Sequence, residues 1–589
     1  MRKYSIVLLL LILAALVTTS CQQKDSKVHI KVLATADVHA AIFPHNFTTD
    51  TPMDGSLAHV SAYVNQERAN RDQHIVLLDN GDLLQGQPTG YFANFIATDE
   101  VNLFAKVMNY IGFDAASVGN HDIEAGSDVY NQLKNEFRFP WLAANILDQK
   151  TGKPYFKPYQ IIEKDGVKIA VLGLITSSVP NWLPQTLWEG LEFTGMHQAA
   201  VQWVEYIRDH EKPHAIIGLF HSGEGDGSEE AATNLQIENA SLFVAENVPG
   251  FDVVFTAHDH RVRNRYVENI DGEQVLIIGG HPHGRSVAAV DLQFTRGSGG
   301  NYILSETQGQ IVGMDQFTPD EEFLVHFQED YNNVQAFVDR TLGVLERDLH
   351  SKKAYAGNSA FVDFIHKMQL ELTDAQISFA APLSFNATLA KGDLTMRDMF
   401  RLYPYENYLY VMELTGAEIK DFLEYSYGLW YTTMENEDDH IMLLRKNEQG
   451  ELALDRQGRA RFANAFFNFD SASGLDYEVD VTQPVGSRIK IKGLSEGGRF
   501  IPDRTYRVAI NSYRGSGGGG HLTHGAGIDH AALSERIVWT SDNDLRSYLA
   551  GYIEKQSPVE PKADNNWKVV PEEWTANAIE RDYGLIFED

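Results

Sequence analysis

Short apolar segments alternate with amphipathic stretches between residues 28 and 314, and five of them run directly into Asp, Asn or His. The five segments are Ile30–Ala34, Ile75–Asp79, Ala115–Val118, Ala215–Phe220 and Val253–Thr256. Short apolar runs separated by helical stretches are typical of buried strands in a layered α/β fold. Sites of open α/β sheets form at the carboxyl ends of the strands. The pattern therefore predicts an α/β domain with one site at the edge where these strands end.

The side chains that follow the five strands can all bind a divalent metal ion. They are Asp37, His39, Asp82, Asn120, His121, Asp122, His221, His258 and His260. Oxygen and imidazole ligands suit Zn, Mn, Mg, Fe or Co, so the residue types leave the ion open. The single cysteine, Cys21, excludes a Cys-based zinc site. Two ions bridged by one carboxylate, about 3.5–4 Å apart, can clamp a phosphoryl group and activate a water.

The length and charge of the chain limit its partners. A chain of 589 residues can form two large domains. Its net charge of −32 repels polyanions, so we expect no binding of long nucleic acid. A small anionic substrate remains compatible if cations lie at the site. We expect a monomer.

The N-terminus has the features of an export signal. Arg2 and Lys3 precede an apolar run from Ile6 to Val17, and small residues lead to Cys21. Residues 1–20 are predicted to be a signal peptide. The position of the cysteine resembles a bacterial lipoprotein signal, which implies a lipidated Cys21 on a tether of residues 21–27 and a periplasmic or cell-surface location. The alternative is an ordinary signal peptide with an incidental cysteine.

The rest of the chain divides into further segments. Residues 28–318 form the predicted metal-binding domain, 319–347 a helical linker, 348–565 an α+β domain, and 566–589 a tail of irregular structure. In the second domain we predict helices at Phe361–Leu372 and Leu414–Tyr427 and strands at Tyr408–Leu414, Tyr477–Val481, Arg488–Ile491 and Tyr506–Ile510. No other segment is apolar over the length of a membrane span.

The order D-x-H, G-D, G-N-H-[DE], H, H-x-H resembles the calcineurin-like metallophosphoesterase family. The two-domain plan is similar to the 5′-nucleotidase group of that family, which includes the 2′,3′-cyclic-nucleotide 2′-phosphodiesterase/3′-nucleotidases. The resemblance implies a four-layer sandwich followed by a nucleotide-binding α+β domain. It also implies that a metal-bound hydroxide hydrolyses nucleotide phosphate esters during nucleotide catabolism.

The resemblance assigns a role to each strand-end residue. It implies one ion held by Asp37, His39, Asp82 and His260, and a second held by Asp82, Asn120, His221 and His258. Asp82 would bridge the two ions. His121 would hydrogen-bond the phosphoryl or leaving oxygen, and Asp122 would orient the His121 imidazole. A helix N-cap is the alternative role for Asp122.

In the second domain the resemblance implies that Tyr405 and Tyr513 stack on the two faces of a base. Asn386 and Arg514 are candidates for ribose or phosphate contacts, as is Ser384.

The loop sequences distinguish branches of the group. Ala381-Pro382-Leu383 replaces the Gly-rich loop usual in 5′-nucleotidases, and Gly519 replaces the usual Asp. Both differences favour the cyclic phosphodiesterase/3′-nucleotidase branch. A 5′-nucleotidase, a phosphoesterase acting on another substrate such as a sugar phosphate, and a non-catalytic surface binding protein remain the alternatives.

Overall fold

A computed structural model describes residues 27–587, apart from residues 229, 231–236, 298 and 456. The predicted signal peptide and the lipidated Cys21 lie outside the described residues. Among the helices of this described part, none has the length and apolar content needed to cross a bilayer.

The first domain is built on two six-stranded sheets. In spatial order, the strands of one sheet are Tyr302–Gly313, Ser286–Arg296, Lys27–Thr35, His74–Asp79, Ala115–Ser117 and Trp141–Leu142. The strands of the other are Arg263–Glu268, Gln274–Gly279, Val253–Thr256, Ala215–His221, Val167–Ile175 and Tyr159–Lys164. The central strands of both sheets are parallel. Antiparallel strands lie at both edges of the second sheet and at one edge of the first, whose other edge strand, Trp141–Leu142, is parallel to its neighbour. All five strands predicted to end at the site are present.

Alternation of side chains along the strands produces the layers of this domain. Val32 points into the core between the two sheets, and its neighbour Leu33 points into the core under the outer helices. Helices Leu57–Ala69, Leu103–Ile111 and Ser127–Glu136 cover one sheet, and helices Met196–His210 and Ser241–Asn247 cover the other. The helix–sheet–sheet–helix arrangement confirms the predicted four-layer sandwich.

The second domain is α+β, as predicted. Its five-stranded sheet has the order Ser471–Ser473, Ile377–Ala380, Thr505–Asn511, Tyr408–Thr415 and Ile537–Asp544. A three-stranded sheet consists of Ile489–Leu494, Leu475–Asp480 and Trp567–Val570. The longer helices are Ala360–Leu372, Gly416–Trp430, Leu545–Gln556 and Glu572–Phe587. The first two coincide closely with the helices expected from the sequence.

The connector and the C-terminus differ from the sequence predictions. The connector is helical over Glu321–His326 and Gln328–Val338, but Thr341–Leu345 is a strand that pairs with Gly392–Thr395 of the second domain. The prediction of an irregular C-terminal tail is wrong, because Trp567–Val570 joins a sheet and Glu572–Phe587 is a helix. Burial of Trp567 and Ala578 in the core of the second domain stabilises both elements.

The two domains contact each other through polar and aromatic side chains. Arg401 donates a hydrogen bond to the carbonyl of Thr48 (2.8 Å), and the Tyr91 hydroxyl donates one to Asp544 (2.9 Å). The Arg546 guanidinium lies 5.0 Å from the ring centre of Tyr91. Arg546 also donates to the carbonyls of Tyr403 and Pro404, and Glu406 lines a pocket with His121, so the loop of residues 403–407 lies beside the strand ends of the first domain.

Candidate metal centre and nucleotide site

The predicted ligands lie together at the carboxyl ends of strands from both sheets. Each follows, or is the last residue of, its parallel strand. Two groups of three residues form here, and in each group the possible ligand atoms, one per residue, lie within 4.8 Å of one another. The first group is Asp37, His39 and His260, and the second is Asp82, His221 and His258. The sequence thus predicted which residues converge, because the sheet brings the ends of parallel strands to one edge.

The first group presents two imidazoles and a carboxylate. Nε2 of His260 lies 2.9 Å from Nε2 of His39 and 3.7 Å from Oδ1 of Asp37. Nδ1 of His39 is 2.9 Å from the carbonyl oxygen of Gln85, to which it donates, so Nε2 carries the lone pair. Burial lowers the pKa of His39 and that of His260. Both imidazoles are therefore neutral at neutral pH, as metal ligands must be.

The second group is buried more deeply. Nε2 of His221 lies 3.1 Å from Oδ2 of Asp82 and 3.1 Å from Oδ1 of Asn120. Nδ1 of His221 donates to the carbonyl of Asn80 at 2.7 Å, so the lone pair that can bind a metal again lies on Nε2. Burial opposes ionisation of Asp82, but its neighbours His221 and His121 hold its pKa well below its ordinary value. Asp82 is therefore a carboxylate at the centre of the site.

Five of these residues have an unusual backbone conformation. Asp37, His39, Asp82, His258 and His260 have φ angles between 48° and 73°. The left-handed region is rarely occupied by residues other than glycine, and such strain persists only where surrounding contacts maintain it. The preceding glycines allow close packing: a Cβ atom on Gly119 would collide with the side chain of Asp82, and one on Gly81 would lie 2.7 Å from Nδ1 of His221.

Asn80 ties the two sheets together beneath the site, and its role was not predicted. Its side-chain amide donates to the carbonyls of Phe220 (3.0 Å) and Phe255 (3.2 Å), which end two strands of the second sheet. Its oxygen accepts a hydrogen bond from the hydroxyl of Ser117 at 2.9 Å. A buried amide with these partners holds the strand ends in register.

The prediction that Asp122 orients the His121 imidazole is wrong. Asp122 is fully buried, and its carboxylate accepts hydrogen bonds from the backbone N–H groups of Asp82, Leu83, Leu84 and Gly119 at 2.8–3.1 Å. It therefore supports the loop that carries Asp82. The hydrogen bond from the Gly119 N–H also caps the N-terminus of the helix Asn120–Glu124. Asp122 makes this bond from the third position of the helix, with Gly119 as the N-cap residue.

The carboxylate that contacts His121 belongs to Glu124, which accepts a hydrogen bond from Nδ1 of the imidazole. Both residues lie on the helix Asn120–Glu124, three positions apart, and such pairs meet on one helix face. That spacing was the signal in the sequence that would have identified Glu124. Burial disfavours protonation of His121, but Asp82 and Glu124 outweigh it and raise the pKa to about 10. His121 is therefore protonated and available as a proton donor.

Tyr405 and Tyr513 both lie in the second domain near the first. Burial raises the pKa of Tyr405 to about 12, with further contributions from Tyr513 and from Glu124 of the first domain. Burial also raises the pKa of Tyr513, and Glu238 of the first domain is among the charges that act on it. Glu406, the neighbour of Tyr405, lines a pocket with His121 and Glu124, so the loop of Tyr405 lies beside the metal-ligand groups.

Two of the three candidates for ribose or phosphate contacts, Arg514 and Asn386, differ in their surroundings. The prediction that Arg514 contacts ribose or phosphate is wrong: the side chain is 1% exposed, and it binds Asp470 (2.7 Å) and the carbonyls of Gly518 and Phe467. Arg514 thus stabilises the Gly-rich loop. Asn386 is exposed, and no hydrogen bond of it is found within the described residues.

The chemistry of the two groups fits divalent ions. Each group combines imidazole nitrogens with a carboxylate, and Nδ1 of His39 and of His221 donates to a backbone carbonyl, which leaves Nε2 of each ring toward the ligand group. Such outer hydrogen bonds fix the ring orientation of histidine ligands. The Asp, Asn and His donors are compatible with several metals, as the sequence indicated.

Comparisons with known proteins agree with this chemistry. Residues 30–262 match the calcineurin-like phosphoesterase family, and residues 334–524 match the 5′-nucleotidase C-terminal domain. The chain is 26% identical to a 2′,3′-cyclic-nucleotide 2′-phosphodiesterase/3′-nucleotidase of Salmonella typhimurium, over 97% of this chain and 92% of that protein. It is also 26% identical to the trifunctional nucleotide phosphoesterase protein YfkN of Bacillus subtilis, over 92% of this chain but only 39% of that longer protein.

Solved structures share the whole fold. A putative 5′-nucleotidase from Staphylococcus aureus superposes with a TM-score of 0.74 and 22% identity, covering 92% of this chain and 99% of that one. A 5′-nucleotidase precursor from Thermus thermophilus superposes with a TM-score of 0.61 and 20% identity, covering 92% and 100%. Together with the two matched domains, the fold and the ligand groups identify this chain as a member of the calcineurin-like phosphoesterases that carry a 5′-nucleotidase C-terminal domain, and so as a metal-dependent phosphoester hydrolase.

Proposed function

We propose that this protein hydrolyses the phosphate esters of 2′,3′-cyclic nucleotides and 3′-nucleotides with the help of two divalent metal ions. The observation that carries the proposal is the position of Tyr405 and Tyr513. Glu406, the neighbour of Tyr405, lines a pocket together with His121 and Glu124. Phe467 contacts the ring of Tyr405, and its carbonyl accepts a hydrogen bond from Arg514, the neighbour of Tyr513. A site for a base is thus adjacent to a site for a phosphate. The relatives named as cyclic-nucleotide phosphodiesterases support the branch.

We propose that the ligands divide between the two ions as the family resemblance implies. One ion would be held by Asp37, His39, Asp82 and His260, and the other by Asp82, Asn120, His221 and His258. When bound, the ions supply Lewis-acid stabilisation of the phosphoryl oxygens and an activated water. Asp82 is proposed to bridge the ions; its carboxylate is buried, and Oδ2 lies 3.1 Å from Nε2 of His221, which supports this role.

His121 is proposed to transfer a proton to the leaving oxygen of the ester. Its Nδ1 donates to Glu124, so Nε2 is the nitrogen that can face the substrate. The Glu124 carboxylate keeps the imidazole oriented and stabilises its protonated form. No covalent intermediate is required, and the chain has a single cysteine, outside this domain.

The second domain is proposed to hold the nucleoside between Tyr405 and Tyr513. Stacking on aromatic rings tolerates different bases and contributes about 1–3 kcal/mol per base. The glycine at position 518 lies against the Tyr513 ring, where a Cβ atom would approach to 2.6 Å. Because the backbone of Gly518 packs directly against the ring, the loop restricts the orientation of the Tyr513 side chain.

The test is phosphate release from 2′,3′-cyclic AMP, 3′-AMP and 5′-AMP, measured in parallel with Mn²⁺ or Zn²⁺ and with chelator. We expect metal-dependent turnover of the first two and little of 5′-AMP. Turnover mainly of 5′-AMP would assign the protein to the 5′-nucleotidase branch instead. Absence of turnover with metal bound would contradict the nucleotide proposal and direct the search to other phosphate esters.

We also propose that the mature protein is exported and attached to a membrane through lipid on Cys21, as a monomer that acts on nucleotides outside the cytoplasm. More than one acyl chain is needed for stable attachment. The test compares the membrane fraction of the wild type with that of Cys21→Ser. Equal membrane association of the two would contradict the lipid anchor.

A further inference from the structure

We propose that Glu238 is a positioning residue that holds the His258 imidazole so that Nδ1 faces the second metal ion. Oε1 of Glu238 lies 2.5 Å from Nε2 of His258, which is hydrogen-bond distance. With Nε2 donating to this carboxylate, Nδ1 is the nitrogen left for an ion. The inference rests on the proposed dimetal function and adds to it a residue outside every motif that the sequence pattern identified.

The backbone around Glu238 is attached to the turn that follows His221. The hydroxyl of Ser222 donates to the carbonyl of Glu238 (3.1 Å) and accepts from the N–H of Ala240 (3.1 Å). The side-chain oxygen of Asn239 accepts from the N–H of Gly223 at 2.8 Å. Glu238 is therefore fixed relative to the loop that carries another ligand of the same ion.

Trp182 completes the surroundings of His258. Its ring stacks on the imidazole with a centroid distance of 5.6 Å and an interplanar angle of 18°. Stacking restricts the tilt of the imidazole, and the hydrogen bond to Glu238 restricts rotation about its ring axis. The His258 side chain is only 8% exposed, whereas that of Glu238 is 49% exposed. Glu238 is thus partly exposed to solvent, while its carboxylate contacts the buried imidazole of His258.

Partners of this kind are expected to matter for metal affinity. Carboxylates that accept from the distal nitrogen of a ligating histidine fix its tautomer and increase its basicity, and their loss weakens metal binding by about 10–100-fold. The effect should be confined to the ion held by Asp82, Asn120, His221 and His258. The other ion does not depend on this imidazole, because its histidines are His39 and His260.

The test uses Mn²⁺ binding to the chelator-stripped full-length protein, with free and bound ion separated by electron paramagnetic resonance. In Glu238→Ala we expect one of two Mn²⁺ ions to bind about 10–100-fold more weakly, with the other unchanged. The matched control is Asp291→Asn, which removes a comparable contact at the far end of the sheet, where Asp291 lies 2.6 Å from Nε2 of His29. The control should bind both ions as the wild type does.

Folding is not expected to confound the comparison, since none of the hydrogen bonds that attach residues 238–240 to the turn after His221 uses the side chain of Glu238. At saturating Mn²⁺ the KM of Glu238→Ala for 2′,3′-cyclic AMP should equal that of the wild type. A raised KM with unchanged Mn²⁺ affinity would overturn the inference and make Glu238 a substrate contact. Unchanged affinity and KM would also overturn it. A wild type that binds fewer than two ions and releases no phosphate would instead show that the proposed function fails.

Discussion

The proposed proton transfer by His121 depends on the residue that accepts the hydrogen bond from its Nδ1. The sequence placed it next to Asp122, but the side chain it contacts is that of Glu124, one turn along the same helix. Asp122 faces the opposite way and accepts backbone hydrogen bonds from the loop of Asp82. Two acids that are two positions apart in the chain therefore have different tasks: Glu124 serves proton transfer and Asp122 holds the shape of the loop.

Substitution of the two acids should separate these tasks. Glu124→Gln should lower kcat for 2′,3′-cyclic AMP by about 10²-fold or more, with KM and thermal stability little changed, because proton transfer loses its oriented donor. Asp122→Asn should instead lower the unfolding temperature and the metal content, because an amide cannot accept from all four N–H groups. The measurements are steady-state kinetics and calorimetry of both variants. Equal loss of kcat with no loss of stability in Asp122→Asn would contradict this division.

The two tyrosines offer a second prediction at this scale. Tyr405→Ala or Tyr513→Ala should each raise KM for 2′,3′-cyclic AMP, by an amount equivalent to about 1–3 kcal/mol of stacking free energy. The control is hydrolysis of bis(p-nitrophenyl) phosphate, which has no nucleobase and should lose far less. A similar loss on both substrates would mean that the tyrosines serve the fold of the cleft and not recognition of the base.

At the scale of elements, the helix Ala360–Leu372 is joined to two strands of the second domain by one histidine. His366 is fully buried, with Nδ1 2.9 Å from the hydroxyl of Ser378 and Nε2 3.2 Å from that of Ser471. Burial lowers the pKa of His366 to about 3. The neutral imidazole thus connects three elements without a charge partner.

This histidine should make stability depend on pH. Its folded-state pKa is lower than the ordinary value of 6.5, so the unfolded chain binds the proton first and stability falls as the pH drops below about 6.5. Between pH 7 and pH 5 the loss should be about 2 kcal/mol.

Urea denaturation at both pH values gives the loss of unfolding free energy between pH 7 and pH 5 for the wild type and for His366→Asn. The amount by which the wild type loses more than the variant is the contribution of His366. His74→Asn is the control, since that side chain is 44% exposed. A variant that loses as much stability as the wild type between the two pH values would contradict the assignment.

At the scale of the whole molecule, the metal site belongs to the first domain and the base site to the second. Ligands that bind only the folded state stabilise it, by about 2.7 kcal/mol at a concentration 100 times the Kd. Chelator should therefore lower the unfolding temperature of the wild type. Asp82→Asn, which lacks the central carboxylate, should show little response to chelator. An unchanged wild-type unfolding temperature after removal of both ions would contradict the proposal that these groups hold metal in the folded protein.

The sequence by itself determined the five strands that end at the site, the positions of the seven predicted metal ligands at the strand ends, and the α+β character of the second domain. These follow from local patterns, because apolar runs define buried strands and the ends of parallel strands must share one edge. The converging groups of Asp37, His39 and His260 and of Asp82, His221 and His258 are direct consequences.

Only the tertiary structure decided which partner each side chain has. Glu238 lies 20 residues before His258, and Asp470 lies 44 residues before Arg514, so no local periodicity reports either contact. Burial of Arg514 against Asp470 turned a predicted substrate contact into support for a loop, and packing of Trp567 and Ala578 into the second core turned a predicted irregular tail into a strand and a helix. The physical reason is that desolvation and hydrogen-bond pairing depend on neighbours in space, which the folded chain supplies from distant positions.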